Sequence, residues 1–134
     1  MKSRSSKAKG RKLVAELREA VLAAFPDLEP EDIILVPTSM GGEDLKLSPK
    51  ARRCFPFSVE CKNRETLNVW AAIRQAEANS GGHPPAVVFR RNGHPTWVAV
   101  SLGTMLDLLR DVEKYWKGIA GGMERLKKLK EGLR

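Results

Sequence analysis

Cysteine is scarce in this chain: Cys54 and Cys61 are the only two in 134 residues. Two are too few for a secreted disulfide scaffold, so a reducing, cytoplasmic setting is expected. No apolar run approaches the roughly 20 residues that span a bilayer, which argues against a membrane-embedded protein and against a membrane partner. The opening MKSRSSKAKGRK is basic, but no apolar stretch of signal-peptide type comes after it. Neither a P-loop nor a G-x-G-x-x-G is present, so no nucleotide cofactor is expected. Histidine is limited to His83 and His94. With Cys54 and Cys61 they form no C-x₂-C or H-x₃-H pair, which removes the usual zinc spacing. Internal repeats are absent as well.

What is present suits one soluble domain with a real core. Hydrophobic residues make up 42% and charged residues 30%, too apolar for a disordered chain. The net charge of +8 is unevenly spread. Residues 1–12 hold six basic side chains and no acidic one, for +6. Residues 114–134 hold seven basic and two acidic, for +5, which leaves 13–113 at −3. Basic ends on a near-neutral body read as arms for a polyanion, most often nucleic acid. The chain therefore divides into a basic N-terminal arm (1–12), a core domain (13–113) and a basic tail of helical pattern (114–134).

Within the core, Leu13, Val14, Leu17, Val21 and Phe25 recur at helical spacing until Pro26 ends the pattern. Ile33–Val36 and Glu43–Ser48 read as strands, with a turn at Met40-Gly41-Gly42 between them. Ser48-Pro49 can cap a short helical turn through Arg53. Phe55–Lys62 is a third strand, and 66–79 a helix. Residues 86–91 and 96–102 are strands joined at Asn92-Gly93, a strong hairpin signal. A closing helix is expected around Met105–Leu109; Gly118–Gly122 resembles a hinge, and Met123–Leu133 a short basic helix. The order α-β-β-β-α-β-β-α predicts one mixed sheet flanked by helices.

The chemistry gathers on two neighbouring strands. Alternation puts Glu60 and Lys62 on one face, about 7 Å apart. Asp44 lies on the polar face of the preceding strand. Two carboxylates beside a lysine suit a hard cation of the Mg²⁺ type, which takes one or two carboxylates, waters and substrate phosphates. The first helix offers a third carboxylate: Glu16 sits about 120° from the centre of the apolar face, at its edge. Ser39, Asn63, Arg64, Arg74 and Gln75 are candidates to meet phosphate around such a site.

The stretch Gly42-Glu43-Asp44-Leu45 … Phe57-Ser58-Val59-Glu60-Cys61-Lys62 resembles the PD-(D/E)xK nuclease core. The Lys9-Gly10 opening and the helical glutamate resemble archaeal-type Holliday junction resolvases, in the manner of a phage-encoded relative. The resemblance covers about residues 9–101. It implies a restriction-endonuclease-like α/β fold, a homodimer, and a cytoplasmic site of action in an infected prokaryotic host. It further implies Mg²⁺-dependent phosphodiester hydrolysis, with Mn²⁺ able to substitute, and paired symmetric nicks in four-way DNA. Asp44 and Glu60 would be metal ligands with the Cys61 carbonyl and Glu16, and Lys62 would stand beside the attacking water. Lys7, Lys9, Arg11 and Lys12 of the arm, with Arg52, Arg53, Arg90 and Arg91, would hold phosphates without reading bases. Two other readings compete: a nuclease of the same core acting on duplex, flap or mismatched DNA, and a module that binds nucleic acid without cutting it.

Overall fold

The computed structural model describes residues 4–37 and 40–132, without the side chain of Arg4. The first helix, α1, runs Arg4–Ala24, so residues 4–12 of the basic arm are its opening turns. Its apolar stripe serves two clusters. Leu13 packs with Val59, Cys61 and Val88, while Val21 packs with Leu28, Ile33, Leu45, Leu47 and Ala51. Val14 and Leu17 touch both clusters. Arg18 ties the helix to the next segment: its Nε donates to the Ile33 carbonyl at 2.7 Å, and a terminal nitrogen donates to the Pro30 carbonyl at 2.7 Å.

A 3₁₀ turn at Pro30–Asp32 leads into β1 (Ile33–Leu35), which pairs antiparallel with β2 (Leu45–Leu47). Helix α2 (Pro49–Cys54) begins as the Ser-Pro pair predicts: the Ser48 hydroxyl accepts from the Ala51 amide at 3.0 Å. The same hydroxyl donates to Asp32 at 2.7 Å. That bond, then the Glu29 amide, holds the Asp32 carboxyl below its ordinary range. Ser48→Ala is therefore expected to lose about 1 kcal/mol of cap energy. Asp32 adds a pH dependence of known sign. Its lowered value stabilises the fold above the ordinary 3.8, and the benefit disappears as pH falls through the lowered one. The gap in denaturant midpoint between wild type and Ser48→Ala should accordingly narrow on acidification. A gap that widens in acid would remove the Ser48–Asp32 bond from this account.

Next come β3 (Ser58–Asn63), α3 (Val69–Ala78, capped by Asn68), β4 (Pro85–Arg90) and β5 (Trp97–Ala99). β3 and β4 are parallel, as a helical crossover requires, and β4–β5 is the antiparallel hairpin. Gly93 takes a φ of +73° in that turn, where a side chain would be strained. Ala72 and Ala76 of α3 lie flat on Val87.

The structure is α/β, but it has two sheets where one was expected: β1-β2, and the mixed β3-β4-β5. Asp44 explains the break. Its amide donates to the Val59 carbonyl at 2.9 Å, the first step of a ladder between the sheets. One step on, the Asp44 carboxylate takes the Cys61 amide at 2.6 Å, a donor that a neighbouring strand's carbonyl would otherwise have satisfied.

Residues after Val100 form a second unit. There, α4 runs unbroken from Leu102 to Gly132. The expected hinge at Gly118–Gly122 is helical: a glycine costs a helix only about 1 kcal/mol, and no proline interrupts. No described helix is long and apolar enough to cross a membrane.

Candidate nuclease site

β3 is buried along nearly its whole length, and Glu60 is only 3% exposed. A carboxylate there is costly unless it is paired or occupied. Its side chain and that of Lys62 both turn toward α3, as alternation predicts. Asn79 Nδ2 donates to Glu60 Oε1 at 2.8 Å, and Lys62 Nζ donates to Gln75 Oε1 at 2.6 Å. Two residues two apart on a strand thus meet two residues four apart at the end of α3, Gln75 within it and Asn79 as its C-cap. Both spacings are close to 6–7 Å, so the two elements are in register.

Asp44 approaches from the other edge of β3. Even-numbered positions turn their backbone toward β4: Ser58 donates to the Pro84 carbonyl and Arg64, just past the strand, to that of Arg90. Odd-numbered positions turn theirs toward Asp44, as the Val59 carbonyl and Cys61 amide show. Because the N–H and C=O of one strand residue point the same way, the Cys61 carbonyl shares the edge that Asp44 occupies. The thiol of Cys61 points instead into the core with Leu13 and Val88. Burial, then the charges of Asp44 and Glu60, push the thiol far above its ordinary range, so it stays protonated and is no nucleophile.

The candidate donor set is Asp44, Glu60 and the Cys61 carbonyl, all oxygen, with the Lys62 ammonium alongside. Hard oxygen donors in that number fit Mg²⁺, which keeps waters on its remaining positions. Among the described residues no three His, Cys, Asp or Glu side chains gather as a metal-holding group. Glu16 thus does not join Asp44 and Glu60. It sits on an exposed stretch of α1, bonded by Arg90 and 3.9 Å from Lys12. The Arg90 bond, above all, holds its carboxyl below the ordinary range.

Glu16 and Arg90 belong to a second feature, a cleft of about 330 Å³ at the ends of β3 and β4. Lys9, Lys12, Asn63 and His94 also line it. Asn63 is buried there; its amide holds the Lys9 carbonyl at 3.1 Å, and its own carbonyl oxygen has no partner. The remaining expected phosphate contacts scatter. Arg52 is spent on Glu43 at 3.1 Å and on the Phe57 carbonyl. Lys7, Arg11, Arg53 and Arg74 are exposed on their helices. Arg64 and Arg91 rim a largely apolar hollow with Phe89 and Trp97. Ser39 lies outside the described residues.

Sequence reasoning missed Asn79. The available signal was its spacing: four residues after Gln75, it falls on the same helix face. The helix-ending context, just before Ser80-Gly81-Gly82, hid it. No family model, curated protein or solved structure matches the chain.

Proposed function

We propose that this protein is a Mg²⁺-dependent endonuclease that cuts branched, four-way DNA. One observation carries the reading: the Asp44 carboxylate is seated on the Glu60–Cys61 peptide, beside a buried Glu60 and one residue from Lys62. When bound there, Mg²⁺ would neutralise charge on the scissile phosphate and lower the pKa of an attacking water. Asp44, Glu60 and the Cys61 carbonyl would hold it. Lys62, steadied by Gln75, would orient the water or the phosphate. Lys9, Lys12 and Arg90 line a cleft past the end of the same strand, where a flanking phosphate would find cations. The four-way substrate rests on the resolvase resemblance and on cationic surfaces that hold backbone without a base-reading element.

The test is one panel: a four-way junction, a linear duplex, a flap and a single strand, each with Mg²⁺ or EDTA. Paired nicks in the junction alone, abolished by EDTA, are expected. Preferential cutting of flap or duplex would overturn the junction reading and leave the nuclease. Tight binding with no cutting of any substrate would overturn the nuclease.

The arm makes a separate prediction. Deleting residues 1–8 removes Lys2, Arg4 and Lys7. Junction affinity should drop, and the slope of log K against log salt should flatten by up to about 3, near one per lost phosphate contact. An unchanged slope would take the arm out of the interface.

A further inference from the structure

The longest element of the protein has no part in the proposed chemistry. α4 spans Leu102–Gly132, about 45 Å of helix. Its apolar residues fall at alternating steps of three and four: Leu102, Met105, Leu109, Val112, then Trp116, Ile119, Met123, Leu126. That is a strict seven-residue repeat, sustained from Leu102 to Leu126. A straight helix drifts about 20° per heptad from such a repeat, so the stripe stays in line only when the helix supercoils around a partner. Seven of these eight side chains are exposed, Trp116 at 61% and Met123 at 65%.

We propose that α4 pairs antiparallel with α4 of a second copy of this chain. Size, charge and area select that occupant. Turning the helix about its midpoint, between Lys117 and Gly118, sets every first heptad position against a fourth. Trp116 of one copy meets Ile119 of the other, Val112 meets Met123, and Leu109 meets Leu126. Tyr115, flanking the seam, falls beside Gly122 on the same flank, so its ring meets a residue with no side chain. Gly122, one of the glycines that resemble a hinge in sequence, then leaves the space that Tyr115 fills. A parallel pair would stack Trp116 on Trp116 and set Lys130 against Lys130.

Charge agrees. Residues 102–117 carry three acidic and three basic side chains, and 118–132 carry two acidic and four basic. Parallel pairing lays the cationic halves together. Antiparallel pairing lays each on a neutral half that holds Asp107, Asp111 and Glu113. Six of the seam side chains, Leu109 to Leu126, meet one another in this register, and at roughly 100 Å² each they cover on the order of 600 Å² per copy. Two such shares, about 1,200 Å², reach the lower bound of a specific, stable interface. Because nothing here uses the nuclease residues, the pairing and the cleavage reading stand or fall separately.

The experiment uses the full chain. Light scattering on the wild type should give twice the chain mass, and Trp116→Lys should halve it. Orientation is read by cysteine crosslinking in a Cys54→Ala background. Val112→Cys and Met123→Cys should each stay uncrosslinked when oxidised alone, and should form a covalent dimer when the two are mixed. Self-crosslinking of either variant would overturn the antiparallel register. A monomeric wild type would leave the face to another part of the chain or another protein, and would overturn the pairing. So would a Trp116→Lys protein that remains dimeric.

Discussion

Asp44→Asn and Glu60→Gln are each expected to slow Mg²⁺-dependent cleavage about a thousandfold. Both changes remove a charge and leave the local structure its acceptors. An amide side chain at position 44 would still present an oxygen to the Cys61 amide, now bonded at 2.6 Å. One at position 60 would do the same for Asn79, now at 2.8 Å. The thousandfold figure comes from several kcal/mol of charge stabilisation at about 1.4 kcal/mol per factor of ten. A second readout needs no turnover. At about a hundred times its dissociation constant, Mg²⁺ should stabilise the wild type by about 2.7 kcal/mol against unfolding. Neither variant should show that gain. Wild-type cleavage in both would move the active site elsewhere. Lost cleavage with Mg²⁺ stabilisation intact would make these residues structural.

Much of this site is legible in the sequence alone, because it rests on strand alternation. A period of two determines which side chains share a face, whatever the sheet does. Glu60 with Lys62, and Val59 with Cys61, come directly from it. Helix spacing likewise puts Leu13 and Val21 inward. Helix periodicity serves less well for Glu16. Its angle on α1 puts it at the edge of the apolar stripe but says nothing of the group across from it. Arg90, 74 residues away, decides that, and draws the carboxylate toward the ends of β3 and β4. The number of sheets is hidden for a related reason. A sequence shows that 45–47 and 58–63 are strands. It does not show that an aspartate side chain will stand in for one rung between them. Local patterns settle the faces, and long-range polar contacts settle the neighbours.

The charge distribution gains meaning from the same contacts. The acidic body is not a diffuse property: several of its carboxylates have assigned partners. Glu16 is on Arg90 and Lys12, Glu43 is on Arg52, and Asp32 is on Ser48. Arg52 and Arg90 are consequently worse phosphate contacts than their sequence context suggests. A phosphate entering the cleft has to compete with Glu16 for Arg90, and would do so more easily where the opening turns of α1 bring Lys9 and Lys12 to it. Binding should therefore depend more on the basic opening of α1 than on the arginines of the body.

Lys62→Met should cost cleavage a factor of about 10² to 10⁴, the usual range for a positioned proton-transfer group, while leaving junction affinity within a few-fold. Methionine keeps most of the apolar stem against α3 and deletes only the ammonium. In the proposed site this cation is held on Gln75 Oε1 at 2.6 Å, by a helix whose alanines rest on Val87. That rigidity is needed by a group that orients a water and is wasted on a group that merely collects phosphates. Gln75→Ala then tests the link itself. As a positioning residue, it should lower kcat about tenfold, since about 1.4 kcal/mol of a charge-assisted hydrogen bond is lost, and leave KM unchanged. If Lys62→Met instead abolishes junction binding, and Gln75→Ala raises KM without touching kcat, Lys62 is a phosphate clamp and another group must handle the water.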